Sequence, residues 1–204
     1  MIGVVILCFN EAERLDLVEV SAAVARHPEW TLLFVDDGST DATGDVLERI
    51  RRLHAPRVTV LGSALNRGKG EAVRSGMLAA LEDGADIVAY LDADVSTPFE
   101  EFERLICRLE AEEEFDVVLG ARVRILGSDV RRNAVRHIVG RVYGTLASLA
   151  LGVPVYDTQC GAKPFRRTPR LADALSYPFT ERWAFDVELL SRLAATPTMP
   201  HGHG

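Results

Sequence analysis

IGVVILCFNE, residues 2–11, decides the fold. Residues 2–9 are a continuous apolar run rich in β-branched side chains, and the run stops abruptly at Asn10 and Glu11. A strand with one wet face alternates apolar and polar residues, whereas a run without that alternation belongs to a strand covered on both faces, as in a parallel sheet packed between helices. Similar runs follow at 31–35, 58–61, 87–91 and 117–119, separated by helical patterns at 11–26, 41–53, 70–81 and 100–109. The alternation βαβαβαβαβ predicts an α/β fold with a Rossmann-like, mostly parallel central sheet flanked by helices and wound right-handed. Ser39 and Thr40 before Asp41, and Pro98 before Phe99, Glu100 and Glu101, supply helix starts.

The 204 residues are 48% hydrophobic and 26% charged, which suits one compact domain over residues 1–195. The net charge of -7 is spread along the chain and argues against a nucleic-acid partner. Cys8, Cys107 and Cys160 are far apart and lack CxxC spacing, so neither a disulfide framework nor a zinc site is expected and a reducing cytoplasm fits. The N-terminus has no basic region ahead of its apolar run, and no apolar stretch is long enough to span a bilayer. Any membrane contact is therefore expected to be peripheral, at the cytoplasmic face.

Past residue 119 the alternation stops. Residues 120–132 read as a polar loop with four arginines, 133–151 as a long helix, 155–165 (VYDTQCGAKPF) as a loop and 182–196 as a final helix. The last residues, TPTMPHGHG at 196–204, have no periodicity and read as a disordered tail.

In open α/β sheets ligands bind outside the carboxyl ends of the strands, so FNE, DDGST and DADVSTP are expected to converge on one crevice. Asp92 and Asp94 form an Asp-x-Asp pair of oxygen ligands suited to Mg²⁺ or Mn²⁺ bridging to substrate phosphates. The alternative is structural, with Asp94 capping the next helix and Asp92 accepting loop amides. Asp36 and Asp37 end the second strand, where one could hold a nucleoside; a turn and helix cap explains Gly38, Ser39 and Asp41 but needs only one of the two aspartates. NRGKGEA at 66–72 presents glycines and Lys69 to a phosphate or is simply a helix start, since the full P-loop pattern is missing.

Taken in order, VVILCFNEAERL, FVDDGSTD, NRGKGEAVRSGM, YLDADVSTP, GARV, DTQCGAKPF and RWAFDVELL resemble the inverting family 2 glycosyltransferases of GT-A fold. Within them they look like the polyprenyl-phosphate sugar synthases, and DTQCGAK with RWAFDVELL looks nearest the dolichyl-phosphate glucosyltransferases. The resemblance implies transfer of glucose from UDP-glucose to a polyprenyl or dolichyl phosphate with inversion, dependent on Mg²⁺ or Mn²⁺. Mannosyl transfer from GDP-mannose is the nearest alternative; a sugar-phosphate nucleotidyltransferase and a nucleotide-sugar-binding remnant without turnover are the others.

It also implies roles. Leu7, Phe9 and Glu11 would line the nucleotide pocket, with Leu7 standing where relatives usually carry proline. Asp37 would contact the base or ribose, Lys69 the same end of the donor, and Asp92 and Asp94 the divalent ion, with the Ala93 backbone against the donor. Ser96 replaces a glutamine that completes the ion's shell in mannose synthases. Arg122, Arg131 and Arg132 would gather the acceptor and donor phosphates through forked hydrogen bonds. Asp157 and Gln159 would face the sugar, Trp183 would shape its pocket, and Asp186 would act as an orienting acceptor or base. Relatives continue past RWAFDVELL into another strand, so a shortened form is expected here.

Overall fold

The computed structural model describes residues 1–93, 97–120, 161–180 and 184–195. Strand β1 (Ile2–Cys8) is buried at every position. It pairs in parallel on both sides, with β2 (Trp30–Asp36) and with β4 (Ile87–Asp92). Beyond β2 lies β3 (Val58–Gly62), also parallel, and beyond β4 lies β5 (Ala162–Arg166), antiparallel, giving the order β3-β2-β1-β4-β5.

Alternate residues of β1 enter two separate cores, which is why the run has no polar positions. Val4 and Ile6 join Leu32, Phe34, Ala89 and Leu91 beneath α1 (Leu17–Arg26), α2 (Thr43–His54) and α4 (Phe99–Ala111). Val5 and Leu7 join Leu33, Val35, Val88 and Tyr90 beneath α3 (Lys69–Glu82), α5 (Pro169–Ser176) and α6 (Phe185–Ala195). Each large side chain so enclosed contributes roughly 1.5–3 kcal/mol. Residue Gly76 brings α3 unusually close to the sheet: a Cβ there would sit 2.4 Å from Val5 Cγ1 and 2.8 Å from Val35 Cγ2.

Two expectations are corrected. Helix α1 starts at Leu17 rather than at residue 11, because the Asp16 carboxylate caps it, accepting from the Val18 amide at 2.7 Å. Residues 11–15 instead make a turn closed on the Glu11 carbonyl, which accepts from the Arg14 and Leu15 amides. Residues 117–119 do not form a fifth parallel strand beside β4. That slot is taken by β5, and Val117 makes only an isolated antiparallel bridge to Phe165 on its outer side. Strand β5 and helix α5 were not expected at all. The arginine loop past Gly120, the helix expected over 133–151 and the tail over 196–204 lie outside the described residues.

Candidate functional site

The register sets the site. Leu7 lies opposite Val35 on one side and Asp92 on the other, so the polar sequences that follow the strands emerge at one level of the sheet's carboxyl edge. Three of those loops are tied together by hydrogen bonds. Asn10, in the left-handed region at φ 55°, turns the chain out of β1. Its amide donates to Ser39 Oγ at 2.9 Å and its carboxamide oxygen accepts from the Thr40 amide at 2.9 Å. The Glu11 amide donates to Thr43 Oγ1 at 2.8 Å. Gly38, at φ 76°, sits so close to the next loop that a Cβ would lie 2.7 Å from the Asn66 nitrogen. Beside it the buried Asp37 carboxylate accepts from the amides of Arg67 and Gly68, at 2.7 and 2.8 Å.

These loops enclose a cavity of about 600 Å³, a size typical of sites for drug-sized and cofactor-sized ligands. Leu7, Phe9, Glu11, Asp37, Lys69, Asp92 and Ala93, all named from the sequence, line it together. Phe9 is 44% exposed, which leaves a ring face at the mouth for a planar ligand to stack upon. Glu11 is tethered by Arg14 at 2.8 Å. At the end of β4 the Asp92 carboxylate is gripped through both oxygens by the Lys69 ammonium, at 2.8 and 2.9 Å.

Sequence reasoning missed several contributors. Cys8, Asn66 and Ala72 add to the wall, beside Gly68 of the NRGKGEA turn. Burial, and next the charges of Asp36 and Glu11, push the Cys8 thiol well above its ordinary range, so it stays protonated and inert as a nucleophile. Gly161, whose carbonyl accepts the Asp92 amide at 3.1 Å, leaves room for the carboxylate: a Cβ there would fall 2.2 Å from Asp92 Oδ2. The glycine of DTQCGAKPF, immediately before a strand, was the available signal. Asp37 also has a duty that the sequence did not suggest, since its two oxygens clamp the loop that carries Lys69.

Asp186 is not among the residues lining this cavity. It is 6% exposed, and its carboxylate accepts from the buried Lys163 ammonium at 3.0 Å and from the Tyr90 hydroxyl. That placement gives it an ion pair and a hydrogen bond inside the fold. Asp94, Ser96, Arg122, Arg131, Arg132, Asp157, Gln159 and Trp183 lie outside the described residues, so Asp92 is the member of the carboxylate pair that the structure locates.

The chain can now be set beside known proteins. The profile of the glycosyl transferase family 2 domain matches residues 3–170. The dolichyl-phosphate beta-glucosyltransferase of Drosophila melanogaster is 35% identical over 93% of this chain and 61% of its own length. A polyprenol monophosphomannose synthase of Mycolicibacterium smegmatis is 30% identical over 93% of this chain and 70% of its own. The chain spans about three fifths of the length of the dolichyl-phosphate beta-glucosyltransferases first matched. Among solved structures, glucosyl-3-phosphoglycerate synthase from Mycobacterium tuberculosis, in complex with Mn²⁺, UDP-glucose and phosphoglyceric acid, superimposes with a TM-score of 0.67 at 23% identity. That match covers 96% of this chain and 67% of the other and shows a shared fold. Among the described residues no helix is long and apolar enough to cross a membrane.

Proposed function

This chain belongs to glycosyl transferase family 2, and on that premise we propose that it transfers glucose from UDP-glucose to a polyprenyl or dolichyl phosphate, inverting the anomeric carbon. The observation that carries the reading is the cavity in which Phe9, Lys69 and Asp92 meet at the carboxyl edge of the sheet. An aromatic face suits a nucleobase or ribose, and an ammonium with a carboxylate suits a diphosphate and its counter-ion. The name of the Drosophila relative supports glucose and a lipid phosphate, and the ligands of the mycobacterial structure support UDP-glucose and a divalent ion.

The donor chemistry at Asp92 fits such an ion. Its carboxylate is a hard oxygen ligand facing the cavity, and Gly161 keeps one side of it clear. Asp92 and Asp94 would hold Mg²⁺ or Mn²⁺, which neutralises charge on the departing diphosphate. The acceptor phosphate is already anionic near neutral pH, so the protein needs to align it rather than deprotonate it. One of its oxygens forms a bond to the anomeric carbon as the bond from that carbon to the diphosphate oxygen breaks, and UDP departs with the electron pair. Lys69 stabilises the charge that develops there. The protonated Cys8 thiol offers no competing nucleophile. Arg122, Arg131 and Arg132 would bring the acceptor phosphate to the site, Asp157, Gln159 and Trp183 would hold the sugar, and a lipid acceptor implies peripheral contact with a membrane's cytoplasmic face.

The test is incubation with radiolabelled UDP-glucose and polyprenyl phosphate in detergent micelles with Mg²⁺ or Mn²⁺. Lipid-extractable label that appears in the native protein and vanishes in Asp94→Ala supports the reading. No label with either ion sinks it. The mycobacterial relative's name motivates a second reading, mannosyl transfer from GDP-mannose. It is favoured instead if unlabelled GDP-mannose competes and labelled GDP-mannose yields the lipid product.

A further expected result concerns Gly161→Ala. The added methyl forces the Asp92 carboxylate to rotate away, since 2.2 Å is far inside van der Waals contact. A single side chain can yield at small cost, so the melting temperature should fall by only about 2–4 °C. The stabilisation that Mn²⁺ with UDP gives the native protein in a thermal-shift assay should be lost. Retention of that stabilisation would show that Asp92 is not a ligand.

A further inference from the structure

Lys69 is the first residue of α3, following Gly68 at φ 96°. Its ammonium does not lean on one oxygen of Asp92 but contacts both, and the pair is largely shielded, with side chains 27% and 21% exposed. A divalent ion bound to the same carboxylate would stand beside that ammonium, in partly shielded surroundings that screen the repulsion less than bulk water does. Two cations therefore compete for one anion.

The two partners differ in freedom. Asp92 ends a central strand, its amide fixed on the Gly161 carbonyl at 3.1 Å, whereas Lys69 carries its charge on a flexible four-carbon stem. The ammonium is the partner that moves. It also moves into favourable surroundings, because the amino end of α3, where Lys69 is the first residue, attracts an anion to the same place.

We propose that Lys69 is the resident counter-ion of Asp92 and passes from that carboxylate to the nucleotide's diphosphate when the divalent ion binds, making ion and nucleotide binding mutually dependent. Without a diphosphate, the ion must displace Lys69 from the carboxylate that both of its contacts hold. With a diphosphate present, the displaced ammonium gains a new anion. The consequence is an order built into the site: the ion alone binds weakly, and the ion with nucleotide binds well. This inference rests on the ion site of the proposed function and adds to it a coupling between the two ligands.

The test uses native protein, Lys69→Gln and the charge-keeping Lys69→Arg, each first checked for an intact fold by circular dichroism. Mn²⁺ affinity without nucleotide is read from the electron paramagnetic resonance of free Mn²⁺. UDP affinity is read by calorimetry, once in chelator and once in excess Mn²⁺. Coupling between sites commonly amounts to about 5–150-fold. Lys69→Gln is expected to bind Mn²⁺ alone about tenfold more tightly and to lose about tenfold of the enhancement that Mn²⁺ gives UDP. Lys69→Arg should keep the native pattern. Unchanged or weaker Mn²⁺ binding by a folded Lys69→Gln overturns the counter-ion exchange and leaves Lys69 a static ion pair. Failure of the native protein to bind Mn²⁺ and UDP at all overturns the proposed function itself, so the two failures are distinguishable.

Discussion

Lys163→Met is expected to destabilise the protein by about 3–5 kcal/mol, because it strands a buried carboxylate. Lys163, the second residue of β5, is 1% exposed; its ammonium donates to Tyr90 Oη at 2.8 Å and to Asp186 Oδ1 at 3.0 Å. It also stands 5.1 Å from the centre of the Tyr90 ring, close enough for a cation–π contribution. The three groups join β4, β5 and α6 where the Tyr90, Phe165 and Phe185 rings pack, so this small polar island lies within an otherwise apolar layer. Removing the cation leaves Asp186 with its charge and, among the described residues, the Tyr90 hydroxyl as its remaining side-chain donor. Removing the charges together is a different matter, since buried pairs replaced by apolar side chains are often neutral in their effect on stability. The triple variant Lys163→Met, Asp186→Leu, Tyr90→Phe should therefore regain most of what the single variant loses. Urea denaturation of the single and triple variants checks both statements. A single variant within about 1 kcal/mol of the native protein would mean that the island is solvated rather than interdependent.

The second large effect is expected at Gly76. Alanine raises helix propensity by about 1 kcal/mol over glycine, so an exposed position in α3 would be stabilised by the change. At Gly76 the methyl instead meets Val5 and Val35, at 2.4 and 2.8 Å, on the two central strands. Valine is stiff about χ1, and neither strand can withdraw without breaking the parallel ladder that fixes their register. Overpacking of this kind costs about 1–3 kcal/mol and often more, so a net loss of about 2 kcal/mol is expected. Gly62→Ala is the control, because a Cβ there meets nothing within 4 Å. Its effect should stay within about 0.5 kcal/mol. A Val5→Ala background should reduce the cost of Gly76→Ala, which a double-mutant cycle reads directly.

What could be read from the sequence followed from how local each signal is. The first four strands are short, mostly apolar runs, and α1 to α3 between them and α4 after them carry helical periodicity, so both were legible. Strand β5, AKPFR, hides itself: it holds a lysine and a proline, and the lysine's burial makes sense only once Asp186 has been folded against it. Helix α5 had a usable signal in Thr168, whose hydroxyl accepts from the Leu171 amide at 3.1 Å, with Pro169 following in the first turn. Residues 117–119 had the composition of a strand, and only the three-dimensional competition for the flank of β4 denied them a place in the sheet. At the site, Phe9, Lys69 and Asp92 were foreseeable because strand ends and glycine-rich turns mark the edge where ligands gather. The clamp made by Asp37 was not foreseeable, because it depends on a loop distant in sequence, and at Gly161 the glycine was a signal whose purpose shows only once Asp92 lies beside it.

The reversed direction of β5 matters for how such a scaffold changes over time. Val117 and Val118 lie antiparallel to β5 on its outer side, so the chain runs toward the carboxyl edge there, and β5 sets out from that same edge beginning beside Asp92. The described ends of the chain, at Gly120 and Gly161, thus lie on the same side of the sheet. A βαβ connection must be long enough to cross the sheet, whereas ends that lie on one side of it set no such minimum on the chain between them. Lineages could lengthen, shorten or exchange that stretch while inheriting unchanged the cleft at the carboxyl edge.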